Sequence, residues 1–580
     1  MRGFKTYFPI LGWAGRYGRS ELTSDLLASV IVTIMLVPQS LAYAMLAGLP
    51  AEVGLYASIV PIVLYALFGT SRSLAVGPVA IIALMTATAI GGLGLAGAEA
   101  MAAALVLALL SGGILFAMGL LRLGFLANFL PHTVTAGFVT ASALLIAAGQ
   151  FGQILGISAR GDTMPEIVAG IVGGIGEVNL YTLTIGLVAI VLLFWARARL
   201  KKRLLGLGLR PALADGLSKA APILVVVLST LAAWALDLSA RGVALVGAVP
   251  GGLPPLTLPG LPAGVAQSLL LPALLIALVG FVESVSVGQT LAARRRERID
   301  PDQELLGLGA ANIGAAFTGG MPVTGGFSRS IVNNDAGAAT PAAGILTAAG
   351  LLLATLMLTP ALALLPKATL SATIIVAVIG LIDLSILRQS WDYSRRDFAA
   401  VALSIGATLL AGVEAGLLVG VGTAVALDLY ASSRPHIAEV GFLPGTHHFR
   451  NLRRHGVVTD PSLLTVRVDE SLYFANARYL EEYLSARLAE APSLRHVVLM
   501  CTAVNDIDLS GMESLGMINH RLKDAGITLH LSEVKGPVMD KLRRSAFVAE
   551  LSGEVFLSQV DALRALTPRA APPELHAMAA

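Results

Sequence analysis

The 580-residue sequence holds a single cysteine, Cys501, so no intrachain disulfide can form and no cysteine-based zinc site is available. Charge is scarce as well. Asp, Glu, Lys and Arg make up 13% of the chain, about half the share of an ordinary soluble domain. A soluble chain so poor in charge could not cover its own surface, whereas a chain wetted by lipid needs no such cover. The formal net charge is only +3 and the basic residues form no single patch, which argues against a nucleic-acid partner. The nine histidines are scattered; His447 and His448 are adjacent but lack a third ligand at metal spacing and read as a solvated loop. There is no Gly-x-Ser-x-Gly elbow and no P-loop lysine, so no enzyme, metal or cofactor is expected.

Apolar residues are abundant. They are 56% of the chain, and the mean hydropathy is +0.78. Apolar segments follow one another from about residue 26 to 430, at 26–46, 51–68, 77–92, 99–121, 126–150, 180–195, 220–237, 269–292, 303–317, 324–338, 341–364, 368–382, 397–411 and 413–430. A full span takes about 20 residues, and shorter ones occur where Gly and Pro interrupt. These make about 14 spans. Residues 1–25 carry Arg2, Lys5, Arg16 and Arg19 and resemble no signal peptide, so the first apolar segment is expected to stay in the membrane. With the N-terminus inside, twenty basic loop residues fall on the inner side and three, Arg160, Arg241 and Lys367, on the outer. That bias is the one expected of cytoplasmic loops and places both termini in the cytoplasm of a bacterial inner membrane. Arg329 belongs to neither set, because it lies inside a membrane segment.

After Tyr430 the pattern changes to that of a small α/β domain. Strands are expected at 463–474, 495–501 and 527–533 and helices at 476–490 and 510–525, which gives a domain over 461–566. Residues 431–460 read as a linker and 567–580 as a loose tail rich in Pro and Ala.

The membrane segments suggest two related halves. Pro38-Gln39-Ser40 lies in span one and Val282-Glu283-Ser284 in span eight; Pro78 follows Gln39 by 39 positions and Pro322 follows Glu283 by the same 39. Seven spans per half force opposite orientations, the inverted repeat of many secondary transporters. Gly and Pro near 77–80 and 324–329 break regular backbone at membrane depth, which lipid tolerates only where that backbone lines a cavity. Half-helices starting there aim free N–H groups and positive dipole ends at the cavity, which suits an anion, and Arg329 adds a full charge. The competing reading is plain packing glycines at helix crossings; Gln39, Glu283 and Arg329 at matching depth weigh against it.

The segments Pro38-Gln39-Ser40-Leu41-Ala42-Tyr43-Ala44, Gly54-Leu55-Tyr56, Phe68-Gly69-Thr70-Ser71-Arg72-Ser73-Leu74-Ala75-Val76-Gly77-Pro78 and Gly325-Gly326-Phe327-Ser328-Arg329-Ser330, with Asn333, resemble the sulfate permease (SulP) family. Its animal relatives include the solute carrier 26 anion exchangers and prestin. The C-terminal segment resembles the STAS domain, and the likeness covers about residues 10–565. The resemblance implies a uracil-permease-like seven-plus-seven repeat, with a core domain moving against a gate domain in an elevator-like cycle within a homodimer. It implies anions such as sulfate, bicarbonate, chloride or dicarboxylates as substrates. Carried onto this chain, the substrate site is Gln39, Tyr43, Gly77, Pro78, Val79, Ala80, Thr324, Gly325, Gly326, Phe327, Ser328 and Arg329.

Glu283 is the candidate for proton coupling, since a carboxylate in an apolar span is costly, usually functional or paired, and prone to take up a proton. The alternative is a static pair with Arg329. Similar sodium-driven relatives carry Asp at the Glu283 position and Thr four residues later; Val287 stands there in this chain and offers no oxygen ligand, so protons are favoured over sodium. In the STAS-like domain, Ser510 stands where anti-sigma antagonists carry a phosphorylated serine, and it is also a good helix N-cap. The expectation is proton-coupled uptake of sulfate or a small dicarboxylate. A bicarbonate or chloride exchanger, a channel-like conductor, and an anion sensor signalling to a cytoplasmic partner of the STAS-like domain remain as alternatives.

Overall fold

In this computed structural model the described residues are 7–567, apart from 130, 160, 210–213, 215–216, 219, 248–250 and 261. Arg2, Lys5, Arg160, Arg210 and Lys219 of the charge count lie outside them, as does the tail after Thr567. The chain divides into two compact units, residues 1–424 and 425–580.

In the first unit each apolar segment read from the sequence coincides with a helix or a broken pair of helices. Among the described residues seven helices are long and apolar enough to cross a membrane, and four apolar helices are shorter. The helices that build the site are α1 (Arg19–Leu46), α2 (Val60–Phe68), α3 (Ala80–Gly91), α4 (Gly97–Leu120), α5 (Leu180–Trp195), α6 (Leu270–Arg295), α7 (Pro301–Phe317), α8 (Phe327–Asp335) and α9 (Lys367–Ile379). The first of these begins at Arg19 rather than 26, because polar residues of its opening turns are tied down. Fully buried Asp25 accepts hydrogen bonds from Ala339 N at 2.6 Å, Thr340 N at 3.0 Å and Thr340 Oγ1 at 2.6 Å. Several helices lie outside the expected segments; the longest among the described residues are Met164–Gly174 and Ser385–Tyr393, both too short to register as membrane segments.

The two interrupted segments explain themselves. Residues before α3 and α8 are extended and pair as a two-stranded antiparallel ladder, β1 (Val76–Gly77) with β2 (Thr324–Gly325), in register Val76 to Gly325 and Gly77 to Thr324. At 1.5 Å per residue α3 is about 18 Å long and α8 about 14 Å, so neither crosses the ~30 Å hydrocarbon layer alone. Antiparallel pairing of equivalent strands is what two halves of opposite orientation produce. The prolines are not equivalent, however. Pro78 follows its strand whereas Pro322 precedes its own, so their equal spacing from Gln39 and Glu283 does not mark the structural correspondence.

The second unit holds a six-stranded sheet in the order β4-β3-β5-β6-β7-β8. The strands are β3 (Ile437–Phe442), β4 (Phe449–Asn451), β5 (Leu463–Val468), β6 (His496–Met500), β7 (Thr528–Ser532) and β8 (Val555–Phe556). Strands β5 to β8 run parallel, and β3 pairs antiparallel with β4 and β5. Helices α10 (Ala477–Glu490) and α11 (Leu509–Asp524) connect successive parallel strands, the short crossover that parallel pairing requires. The expected linker 431–460 is corrected here. Its Pro and His residues obscure a strand whose Ala438, Val440 and Phe442 are buried in the sheet's own core.

Candidate functional site

The β1–β2 ladder is fixed by side chains from several helices. Asn312 of α7 answers both backbone groups of Val323: its Nδ2 donates to Val323 O at 2.8 Å and its Oδ1 accepts from Val323 N at 2.9 Å. Ser284 of α6 accepts from Gly325 N at 2.9 Å and lies 2.8 Å from Thr324 Oγ1, which donates to Gly280 O at 2.6 Å. On the other strand Ala75 N donates to Ser330 Oγ at 2.9 Å, and Asn333 Nδ2 donates to Ser73 O at 3.1 Å. Buried backbone groups need such partners; here all four side chains come from the second half and hold strands of both halves.

Beside the ladder lies a small cavity of about 50 Å³. The core side supplies Gln39 and Tyr43 from α1, Val79 and Ala80 at the start of α3, Glu283 from α6, and Gly326 to Arg329 at the start of α8. The opposite wall is Ala377 and Val378 of α9 with Leu381 beyond it. Of the residues predicted from sequence, Gly77, Pro78, Thr324 and Gly325 do not line this cavity; they stand behind it in and beside the ladder. Two helix N-termini reach the cavity. Their first N–H groups have no intrahelical partner, which makes such ends attractive to anions.

Arg329 is 2% exposed. Its Nη2 donates to Gly77 O at 3.0 Å and more loosely to Thr324 O at 3.5 Å, one carbonyl from each half. Among the described residues no ion pair joins it to Glu283, so the static pair considered above does not form. Instead three buried polar atoms around this cavity have no hydrogen-bond partner: Gln39 Oε1, Glu283 Oε2 and Arg329 Nη1. Leaving a buried polar atom unpaired costs about 1–3 kcal/mol, more when charged.

Three contributors were missed in the sequence. Asn312 and Ser330 position the ladder, and the α9 wall completes the cavity. Asn312 could have been suspected as a polar residue inside an apolar segment; the small apolar wall residues carry no local signal. In the second unit, Ser510 is exposed and is not the cap of α11: Asp508 holds that place, accepting from Gly511 N at 2.7 Å.

The chain was compared with known proteins. Residues 22–404 match the model of the sulfate permease family, and residues 455–562 match that of the STAS domain. It is 37% identical over 571 residues to "Sulfate transporter 4.1, chloroplastic" of Arabidopsis thaliana, covering 96% of this chain and 82% of that protein. It is 30% identical to "High affinity sulfate transporter 2" of Stylosanthes hamata, covering 98% and 88%. The solved structure of SLC26A9 superposes with a TM-score of 0.89 at 21% identity, over 98% of this chain and 93% of that one. The relatives are named as sulfate transporters, and the chain belongs to the sulfate permease family, as a polytopic helical membrane protein with a C-terminal STAS domain.

Proposed function

We propose that this protein is a secondary active transporter that takes up sulfate or a small dicarboxylate together with protons, working as a homodimer in the bacterial inner membrane with both termini cytoplasmic. The observation that carries this reading is the convergence of two helix N-termini with the unpartnered atoms of Gln39, Glu283 and Arg329 on one cavity. An anion would satisfy the free N–H groups and Arg329 Nη1, and among the described residues no carboxylate forms an ion pair with the arginine. The sulfate transporters among its relatives support the choice of anion.

Coupling follows from charge. Bringing a dianion inward against 100 mV, inside negative, costs about 4.6 kcal/mol at ~2.3 kcal/mol per charge. Glu283 lies on the anion cavity and has an unpartnered carboxylate oxygen. A proton on that oxygen removes a negative charge beside the incoming anion and adds a positive one to the transported complex. An elevator-like motion fits the two walls. The core wall is cross-linked by the ladder bonds, whereas the facing residues Ala377, Val378 and Leu381 are apolar and make no polar bond to it through their side chains.

The test is labelled-sulfate uptake into proteoliposomes with and without an inward proton gradient, in wild type and Glu283→Gln. Uptake that rises with the gradient, and loses that response in the variant, is expected. Gradient-independent sulfate flux in wild type would remove symport. No sulfate uptake at all would remove sulfate, and the same vesicles would then be offered bicarbonate, chloride and C4 dicarboxylates.

A further inference from the structure

A second cavity of about 420 Å³ adjoins the substrate cavity and shares Gln39, Phe327, Ser328, Ala377 and Leu381 with it. A third cavity of the membrane unit, about 650 Å³, shares no lining residue with the substrate cavity. The substrate cavity therefore shares a wall with the first of these and none with the second. The two large cavities also differ in charge. Among the described residues the adjoining one has Arg197 as its only charged lining residue, and the other has Asp162.

Arg197 stands just after α5, in a π-helical turn, Ala196–Leu200. Such turns are rare and often occur at functional positions, because they rotate a side chain out of the regular helical path. Its guanidinium lies at the C-terminal end of α9, where Nη1 donates to Val376 O at 3.1 Å. It also sits against Gly380, where a Cβ would lie 3.0 Å from Nη2. Among the described residues that one bond is the only hydrogen bond of the Arg197 side chain, and no carboxylate pairs with it. A guanidinium has five N–H donors, so most remain for a ligand. The helix end holds the group in place without neutralising it.

We propose that Arg197 is the electrostatic collecting residue of the transport route on one face of the membrane, holding a small anion such as sulfate in the vestibule one step from the Gln39–Arg329 cavity. A lone cation in a low-dielectric cleft raises the local anion concentration and the rate of capture. Its effect is confined to that face, because the 650 Å³ cavity shares no wall with the substrate cavity and carries an acid, Asp162, instead of a cation. By the loop-charge bias this face is cytoplasmic, which makes the residue act on release and re-binding of the anion inside the cell. The proposal rests on the transport reading above.

Right-side-out and inside-out membrane vesicles separate the two faces. Sulfate KM would be measured in each, at low and high ionic strength, for wild type, Arg197→Gln and Arg197→Lys. In Arg197→Gln, KM at one face is expected to rise roughly threefold to tenfold, with a weaker response to salt, while KM at the other face stays unchanged. Arg197→Lys should keep most of the wild-type behaviour. Equal changes at both faces, or an unchanged salt response, would show that the arginine only pins α5 to α9 and would overturn the proposal alone. Absence of wild-type sulfate flux in both vesicle types would overturn the transport reading and this proposal with it.

Discussion

Arg329 and Gly77 belong to opposite halves of the membrane unit, yet the guanidinium of one caps the backbone carbonyl of the other at 3.0 Å. The contact is possible only because position 77 has no side chain. A Cβ there would lie 2.7 Å from Arg329 Nη1, and Gly77 adopts φ +154°, where side chains are disfavoured. Gly77→Ala is expected to displace the guanidinium, lower stability by about 1–3 kcal/mol and reduce sulfate flux at least tenfold. Arg329→Lys keeps the charge but loses the planar fork that reaches one carbonyl and an anion at once. Flux in that variant should fall to a similar degree while the protein remains folded. Flux and Tm measured on the same preparations check both outcomes.

Asn312 imitates a neighbouring strand for Val323. Asn312→Leu conserves volume but leaves the Val323 N–H and C=O without those partners at a residue 3% exposed. The expected cost is about 2–4 kcal/mol from two unpaired buried groups, read as a lower Tm in detergent. Asn312→Asp keeps the acceptor and loses the donor, so it should fall between.

The outline of the site was legible because membranes penalise what sites need. Gly and Pro at membrane depth marked the half-helix starts, and Arg329 and Glu283 stood out as charges inside apolar segments. What stayed hidden depends on pairing between distant residues. Gly77, Pro78, Thr324 and Gly325 looked like lining residues, but antiparallel pairing puts them behind the cavity. Asn312 was visible as polar, yet its role follows only from where Val323 arrives. Ala377 and Val378 have no chemical mark at all. In the second unit, β3 reads as a linker because its flanks are rich in Pro, His and Arg, although its Ala438, Val440 and Phe442 are buried at every second position.

The start of α11 separates capping from regulation. Asp508 Oδ1 accepts the Gly511 N–H at 2.7 Å and Asp508 Oδ2 accepts the Phe474 N–H at 3.0 Å. Asp508→Ala should therefore destabilise the domain by about 1–2 kcal/mol, while Ser510→Ala should leave its stability within ~0.5 kcal/mol of wild type. Thermal unfolding of both variants is the check. A large effect of Ser510→Ala would mean that the hydroxyl is structural and would weaken Ser510 as a candidate phosphorylation site.

His530 gives the STAS domain a pH response of definite sign. Its Nδ1 accepts the Glu554 N–H at 2.9 Å, so the ring proton is on Nε2, 2.9 Å from Thr528 Oγ1. Burial first, and then the neighbouring His496, pushes the imidazole from 6.5 down to about 4. A proton on Nδ1 would face an N–H that is already donating. Between pH 6.5 and about 4 the unfolded chain therefore binds more protons at this position than the folded one, so stability falls as pH falls through that window and levels off below it. His496, lowered by burial and by Arg495, adds to the same slope. Asp469 acts lower on the scale: burial opposes its ionisation, but hydrogen bonds from Arg467 and His436 outweigh this and hold the carboxyl below its usual range. Its contribution is lost only as pH falls below the ordinary carboxylate range. His530→Gln removes one titrating group. It should flatten Tm against pH between 6.5 and 4 without abolishing the slope, while leaving the more acidic limb in place.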